Sequence, residues 1–349
     1  MDFVLATRIC CGENALSALQ TLGAERVLLV TDRFFTENGT AQRVCELCGA
    51  AVCEIFDRVQ PDPPLTLIAE GVQRLNALQP DTLIALGGGS AVDCAKGMLS
   101  MGQGERTRLI AIPTSSGTGS EVTSFAILTH EGVKHPLVDE RLRPTLAILD
   151  PSLLNGLPAG LIADAGMDVL AHCLEAAVAR DATPFSDALA GAAFRTALEK
   201  LPASYRGDRS VRGELHCAAT MAGIAFDNAG LGACHALSHA IGGAFHLPHG
   251  RINGILLPHI LQFNGAQEGY RRLAALCGVG GENGLLFAVK RVRRQLALPD
   301  SLRAAGLSRE SVLAQAEAVA TAAANDPCTA ANPVPVTAAD YLTLLKKAI

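Results

Sequence analysis

The stretch DTLIALGGGSAVDCAKG, residues 81–97, runs from an apolar segment into three consecutive glycines and then into a helical pattern. The apolar half has the length of a buried strand, and the glycines let the chain turn sharply into the helix. Such a unit brings backbone N–H groups and the positive end of a helix dipole within reach of a phosphate. It is neither the G-x-G-x-x-G fingerprint nor a P-loop, since no G-K-[ST] follows. Taken alone, it could equally be a tight structural connection.

Its surroundings repeat the pattern. RVLLVTD (26–32), AAVCEIFD (50–57), RLIAIPTSSGTGSE (108–121) and TLAILDP (145–151) are further short apolar runs. Residues 64–78 place Leu65, Ile68, Ala69, Val72, Leu75 and Leu78 on one helical face. Strands alternating with helices predict a largely parallel sheet covered on both faces. Beyond Pro151 the strand signals almost vanish. Helical patterns cover 161–180, 184–200, 210–226, 231–243, 251–264, 285–295 and 309–323, with Pro158, Pro184, Pro248 and Pro299 near starts or boundaries. The expectation is a Rossmann-like α/β domain over 1–155 and an all-α domain over 156–349, packed together with a cleft between them.

Composition narrows the function. With 349 residues, 49% hydrophobic and 18% charged, the chain is long and apolar enough for two buried cores. The net charge of −5 comes without a basic strip, which argues against nucleic acid as a partner. No apolar run approaches the roughly 18 residues of a membrane span, and the N-terminus lacks signal-peptide order. A soluble, cytoplasmic protein with no membrane partner is expected. The 11 cysteines, an odd number in a long chain, are expected to be reduced and mostly buried. Cys45 and Cys48 form a lone C-x-x-C pair, with Cys10, Cys11 and Cys53 as candidate neighbours; its structural reading outweighs redox or metal use.

Three further stretches carry chemistry. IPTSSGTGSEVT (112–123) crowds hydroxyls and glycines at the end of a predicted strand. In doubly wound sheets ligands bind outside such strand ends, so this loop and the glycine turn can meet over one pyrophosphate. Asp32, ending VTD, can accept hydrogen bonds from ribose hydroxyls or simply cap a helix. In DAGMDVLAHCLEA (164–176), Asp168 and His172 are four apart on one helical face. CHALSHAIGGAFHLPHG (234–250) holds His235, His239, His246 and His249, with Gly-Gly read as the break before a helix that begins near LPHG. One carboxylate and two or three imidazoles would suit Fe(II), Zn(II) or another divalent first-row metal. Chance histidines on a surface helix are the bland alternative.

Together, GGGSAVDCAK, IPTSSGTGSE, GMDVLAHCLEA and HALSHAIGGAFHLPHGRINGILLPH resemble the iron-containing (group III) alcohol dehydrogenases over nearly the whole chain. Within that family the chain looks most like the propanol dehydrogenases of propanediol-utilisation microcompartments. The resemblance implies a metal held by Asp168, His172, His235 and His249, with Fe(II) or else Zn(II) as the ion. It places His239 beside the nicotinamide, where it is a candidate proton relay or a packing residue, and leaves His246 structural. It implies NAD(H) contacts from Gly88, Gly89 and Ser90, with Asp93 close by, and from Thr114, Ser116, Thr118, Gly119 and Lys134. Asp32 falls where a carboxylate accompanies preference for NAD over NADP. The implied reaction is reversible hydride transfer between NAD(H) and a short primary alcohol or aldehyde, in a homodimer associated with microcompartment enzymes or shell. A glycerol or diol dehydrogenase and a hydroxyacid–oxoacid transhydrogenase remain alternatives on the same scaffold, as does a non-catalytic binding or structural homologue. Ala171, Cys173 and Gly254 depart from common family residues.

Overall fold

A computed structural model describes residues 2–104, 107–130 and 133–349, without the side chains of Val133 and Lys134. The chain divides into two compact units, Leu5–Gly156 and Leu157–Ile349, the latter joined by the N-terminal residues up to Val4. Asn228 holds that N-terminal stub. Its Oδ1 accepts from the Val4 N–H (2.6 Å) and its Nδ2 donates to the Val4 carbonyl (3.0 Å).

The first unit contains β1 (Arg8–Cys11), β2 (Arg26–Val30), α1 (Arg33–Glu37), α2 (Thr40–Cys48), β3 (Val52–Phe56), α3 (Leu65–Leu78), β4 (Thr82–Gly87), α4 (Gly89–Met101), β5 (Arg108–Pro113), β6 (Phe125–His130), β7 (Val133–Val138) and β8 (Leu146–Leu149). Six strands form a parallel sheet in the order β1-β8-β5-β4-β2-β3, and β6 and β7 form a separate antiparallel pair. Side chains alternate across the sheet as the twofold strand period requires. Leu28, Val30, Leu83, Ala85, Leu109 and Ala111 pack with Ile68, Leu75, Val92 and Met98 of α3 and α4. Val27, Leu29, Ile84, Leu86, Ile110 and Ile112 pack on the other face with Leu16, Leu19, Ala41 and Val44. All five apolar runs of the sequence became strands of this sheet. The sequence reading missed β1 and the β6–β7 pair. β1 is the four-residue edge strand RICC, which among the described residues pairs with β8 alone, and β7 carries Lys134, His135 and Pro136.

The cysteine expectation needs correction. Cys45 of α2 is joined by a disulfide to Cys53 of β3, with Cα atoms 5.9 Å apart, so Cys45 does not pair with Cys48 and the set is not wholly reduced. The C-x-x-C spacing lies along α2, whereas the strand that follows returns Cys53 alongside Cys45. Cys48 is buried, which pushes its thiol up to about 11.

The second unit is helical: α5 (Ala159–Ala176), α6 (Pro184–Tyr205), α7 (Arg212–Ala229), α8 (Ala233–Phe245), α9 (His249–Asn264), α10 (Glu268–Leu276), α11 (Gly281–Gln295), α12 (Arg309–Ala314), α13 (Ala316–Ala324), α14 (Pro327–Ala331) and α15 (Ala338–Ala348). Pro158 and Pro248 are the residues before α5 and α9, and Pro184 opens α6, where a missing N–H costs nothing. Pro299 starts no α-helix, and the predicted helix over 309–323 is interrupted at Gln315. The Gly242–Gly243 pair does not break α8, which continues to Phe245 and ends at His246 in a left-handed conformation (φ 55°). Helices α10, α14 and α15 went unpredicted. No single helix among the described residues is long and apolar enough to cross a membrane.

Candidate active site

In the first unit, the chain leaves β2 for one edge strand, β3, and returns to the opposite side of β2 as β4. This reversal marks a topological switch point at the carboxyl ends of β2 and β4, the place where open α/β sheets bind ligands. The sequence-predicted nucleotide residues collect there. Asp32 follows β2 and caps α1, accepting from the Phe34 N–H at 3.0 Å. Burial raises its carboxyl above the usual range despite the backbone donors. A Cβ on Gly87 would lie 4.0 Å from Asp32 Oδ2, so the carboxylate borders the glycine turn. Gly88 caps α4, and Gly89 and Ser90 form its first turn.

The second loop follows the adjacent strand β5. The Thr114 N–H donates to the Gly87 carbonyl at 3.0 Å, which ties the loop to the end of β4. Contact continues along the turn: a Cβ on Gly89 would lie 2.8 Å from Thr118 Cγ2. Ser116 is half-buried and Thr118 exposed, its Oγ1 accepting from the Ser120 N–H. Gly119 has φ +64°, a conformation that favours glycine. The Lys134 side chain lies outside the described residues.

Two α4 residues brace this loop. Asp93 accepts from Ser120 Oγ at 2.7 Å and from the Ile127 N–H at 3.3 Å. Lys96 is wholly buried. Its Nζ lies 2.7–3.3 Å from the Ser120 carbonyl and Oγ, the Thr123 carbonyl and Oγ1, and the Phe125 carbonyl. The sequence reading did not single out Lys96. Its position one turn beyond Asp93 on an otherwise apolar helix face was the available signal.

In the second unit, α5 carries a polar stripe, Asp164, Asp168, His172 and Glu175, buried among alanine, leucine and valine. Residues spaced by three and four share one helix face. Helices α8 and α9 bring His235 and His249 to it. Asp168 Oδ1 lies 3.8 Å from His172 Nε2, 3.6 Å from His235 Nε2 and 3.4 Å from His249 Nε2. These are too long for good hydrogen bonds. Around one four-coordinate ion with bonds of about 2.0–2.2 Å, neighbouring donor atoms stand roughly 3.3–3.6 Å apart. The spacing therefore fits a divalent cation. Donor atoms of Asp168, His235 and His249 lie within 4.8 Å of one another. His172 falls outside that trio; its ring stacks on His235 (centroids 4.6 Å, 13° between planes), and its buried Nδ1 has no hydrogen-bond partner.

Close helix approach makes this possible. A Cβ on Gly250 would lie 1.9 Å from the Asp164 carbonyl oxygen, so glycine lets the first turn of α9 sit directly on α5. Arg251 locks the contact with two bonds to Asp164, of 3.1 and 3.0 Å. Asn253, one turn beyond His249, also escaped the sequence reading. Its Nδ2 donates to Asp168 Oδ1 at 2.7 Å and lies 3.3 and 3.1 Å from His235 Nε2 and His249 Nε2.

Charge within the cluster is strongly redistributed. Burial alone would raise the Asp168 carboxyl, but the surrounding imidazoles of His172, His249 and His235 hold it well below the usual carboxylate range. Burial lowers His172 to about 4 against the pull of Asp168. His235 is raised to about 9, because Asp168 and Glu175 overcome its desolvation. Ser238 Oγ lies 3.2 Å from His249 Nδ1. His239 stands next to the cluster, stacked on His249 (5.1 Å, 16°), with its Nδ1 2.9 Å from Asp326 Oδ2. His246 is exposed at the end of α8.

The sequence matches the model of the iron-containing alcohol dehydrogenases over residues 6–151 and that of the family's C-terminal part over 162–349. The chain belongs to the iron-containing alcohol dehydrogenases. It is 36% identical to the 1-propanol dehydrogenase PduQ of Salmonella typhimurium, across 99% of both chains. The structure of an iron-containing alcohol dehydrogenase from Thermococcus thioreducens superposes with a TM-score of 0.92 at 33% identity, over 99% of each chain. A sulfoacetaldehyde reductase from Bifidobacterium kashiwanohense, solved in complex with NAD+, gives 0.90 at 25% identity, covering 99% of this chain and 98% of that one. The protein is thus an oxidoreductase of the alcohol dehydrogenase type, and the cofactors of its family are iron and NAD(H).

Proposed function

We propose that this dehydrogenase interconverts propanal and 1-propanol, or closely related short primary alcohols and aldehydes, with NAD(H) and a divalent iron held by Asp168, His172, His235 and His249. The observation that carries the reading is the ion-sized spacing of His235 Nε2 and His249 Nε2 about one Asp168 carboxylate oxygen, at 3.6 and 3.4 Å, with His172 Nε2 beside them at 3.8 Å. The likeness to a 1-propanol dehydrogenase supports the substrate class.

When bound, the iron supplies a Lewis acid for the substrate oxygen and the dinucleotide supplies or accepts the hydride. The protein's own residues bind and orient. Asp168 contributes the negative charge of the cation site, and neutral imidazoles complete it. Gly88, Gly89 and Ser90 offer the start of α4 to the pyrophosphate, and Thr114, Ser116, Thr118 and Gly119 line the facing loop. Asp93 sits behind this surface as a brace. The Asp32 carboxylate, beside the turn, suits ribose hydroxyls and repels a 2′-phosphate. His239, with Nδ1 on Asp326, is free to pass the alcohol proton through Nε2. The family resemblance further supports a cytoplasmic homodimer working with microcompartment enzymes or shell, and Lys134 as an additional cofactor contact.

The test is NADH oxidation by metal-stripped protein given propanal, with Fe(II) or Zn(II) restored anaerobically. Activity that returns with Fe(II) is expected. Intact NADH binding without activity on either metal would redirect the search to polyols and hydroxyacids.

A further inference from the structure

We propose that Glu175 is a positioning residue for the cation site: it dictates which nitrogen of His235 faces the metal. The inference rests on the cation site proposed above and adds the residue that prepares one of its ligands.

Glu175 lies at the end of α5 and is 2% exposed. A carboxylate so buried is tolerated only where donors surround it. Four do. Oε1 accepts from the Cys234 N–H (2.6 Å), and Oε2 accepts from the N–H groups of Gly232 (2.9 Å) and His235 (3.3 Å). The fourth partner is His235 Nδ1, 2.6 Å from Oε2. The backbone donors are those that the start of α8 leaves without partners inside the helix, and the negative charge meets the positive end of its dipole. Asn332 Oδ1 supplies the remaining cap, accepting from the Ala233 N–H at 3.1 Å.

The consequence concerns the ring. An ionised carboxylate can only accept, so Nδ1 of His235 must carry the proton. In the neutral imidazole the lone pair then belongs to Nε2, the atom 3.6 Å from Asp168 Oδ1. Glu175 thus keeps a proton on Nδ1 and locks the ring plane, so that Nε2 is the nitrogen left to an ion. Carboxylates behind metal-binding histidines act in this way, and their loss commonly weakens metal binding about 10–100-fold. Replacing Glu175 by glutamine keeps the size but removes the charge. It also sets an NH2 group against a ring of donors.

The experiment uses Co(II) alone as the probe, read by its visible absorption and by competition titration. Glu175→Gln should bind Co(II) about 10–100-fold more weakly than the natural protein. Asn332→Ala, which weakens the same helix start without touching His235, should change affinity no more than a few fold. NADH affinity should be unaltered in both. Equal losses in the two variants would mean that seating of α8, not the imidazole, governs binding, and would overturn the assignment. So would natural affinity in Glu175→Gln. Failure of the natural protein to take up Co(II) would instead overturn the cation site, and the assignment with it. A measurement independent of variant folding is the 15N spectrum of histidine-labelled natural protein loaded with Zn(II). His235 should show a protonated Nδ1; coordination through Nδ1 would overturn the proposal.

Discussion

Gly250 rests against Asp164 so tightly that a Cβ added to it would lie 1.9 Å from the Asp164 carbonyl oxygen. Backbone cannot yield as a flexible side chain can, so Gly250→Ala must push α9 away from α5. His249 is the preceding residue, and its Nε2 stands 3.4 Å from Asp168 Oδ1. The variant should lose about 1–3 kcal/mol of stability through overpacking. It should also hold metal at least tenfold more weakly, because a displacement of even half an ångström spoils a four-ligand geometry. Thermal unfolding and metal titration on the same preparation check both. Natural metal affinity in a destabilised variant would detach the helix contact from the site.

Lys96 gives the matching prediction for the first unit. Its ammonium is buried among oxygens of Ser120, Thr123 and Phe125. Lys96→Met preserves the stem and removes the ammonium donor these acceptors share, at a cost of about 1–3 kcal/mol for each group that finds no substitute. The loop running from Thr114 should loosen, and NADH affinity should fall at least tenfold while metal content stays natural. Fluorescence titration with NADH and metal analysis separate the two effects. Unchanged NADH affinity would show that the brace is structural only.

These two residues illustrate what the sequence disclosed and what it concealed. The alternation of apolar runs with helical patterns gave the parallel sheet, and the loss of strand signals after Pro151 gave the helical half. The short edge strand β1 and the polar β7 carried no apolar run to detect. Gly242–Gly243 misled because packing can override low helix propensity: α8 lies almost wholly buried up to Gly242. The cysteines misled in their redox state: Cys53 was a candidate neighbour of Cys45, but an odd count in a long chain pointed to reduced thiols. At the site, Asp168, His172, His235 and His249 were visible as residues, but their division into roles came from family resemblance. Glu175 and Asp164 were legible in principle, since 164, 168, 172 and 175 follow helical spacing on one face. Lys96 was legible only as a charge on an otherwise apolar helix face, and Asn253 and Asp326 act through contacts between distant segments, which no local pattern encodes.

Asp32 serves two purposes, and its substitutions should be chosen accordingly. Its side chain caps α1 through the Phe34 N–H, and its other oxygen borders the glycine turn at Gly87. Asp32→Asn keeps the cap and removes the charge, so stability should change little. The ratio of kcat/KM for NAD to that for NADP should fall, by roughly tenfold for a loss of about 1.4 kcal/mol of discrimination. An unchanged ratio would remove Asp32 from the specificity determinants.

Asn253 joins Asp168, His235 and His249 through one amide nitrogen, at 2.7, 3.3 and 3.1 Å. Asn253→Ala removes the donor that aims the Asp168 carboxylate. Metal affinity should drop about 10–100-fold, as for other hydrogen-bond partners of ligands, while NADH affinity remains natural. If the variant binds metal as well as the natural protein does, Asn253 is a packing residue.

Metal uptake should depend on pH in a direction set by His235. From the protein's own charges, its imidazole is raised to about 9 and His172 is lowered to about 4. His172 is therefore already neutral at pH 7, whereas His235 still holds a second proton. A ligand must give up the proton on its coordinating nitrogen, so binding at pH 7 should release about one proton, from Nε2 of His235. Apparent affinity should rise close to tenfold per pH unit up to about pH 9 and then level off. Calorimetry in buffers of different ionisation enthalpy counts the protons directly. Uptake with no proton released at pH 7 would mean that His235 is already neutral there, with Glu175 fixing its tautomer but Asp168 contributing little to its basicity.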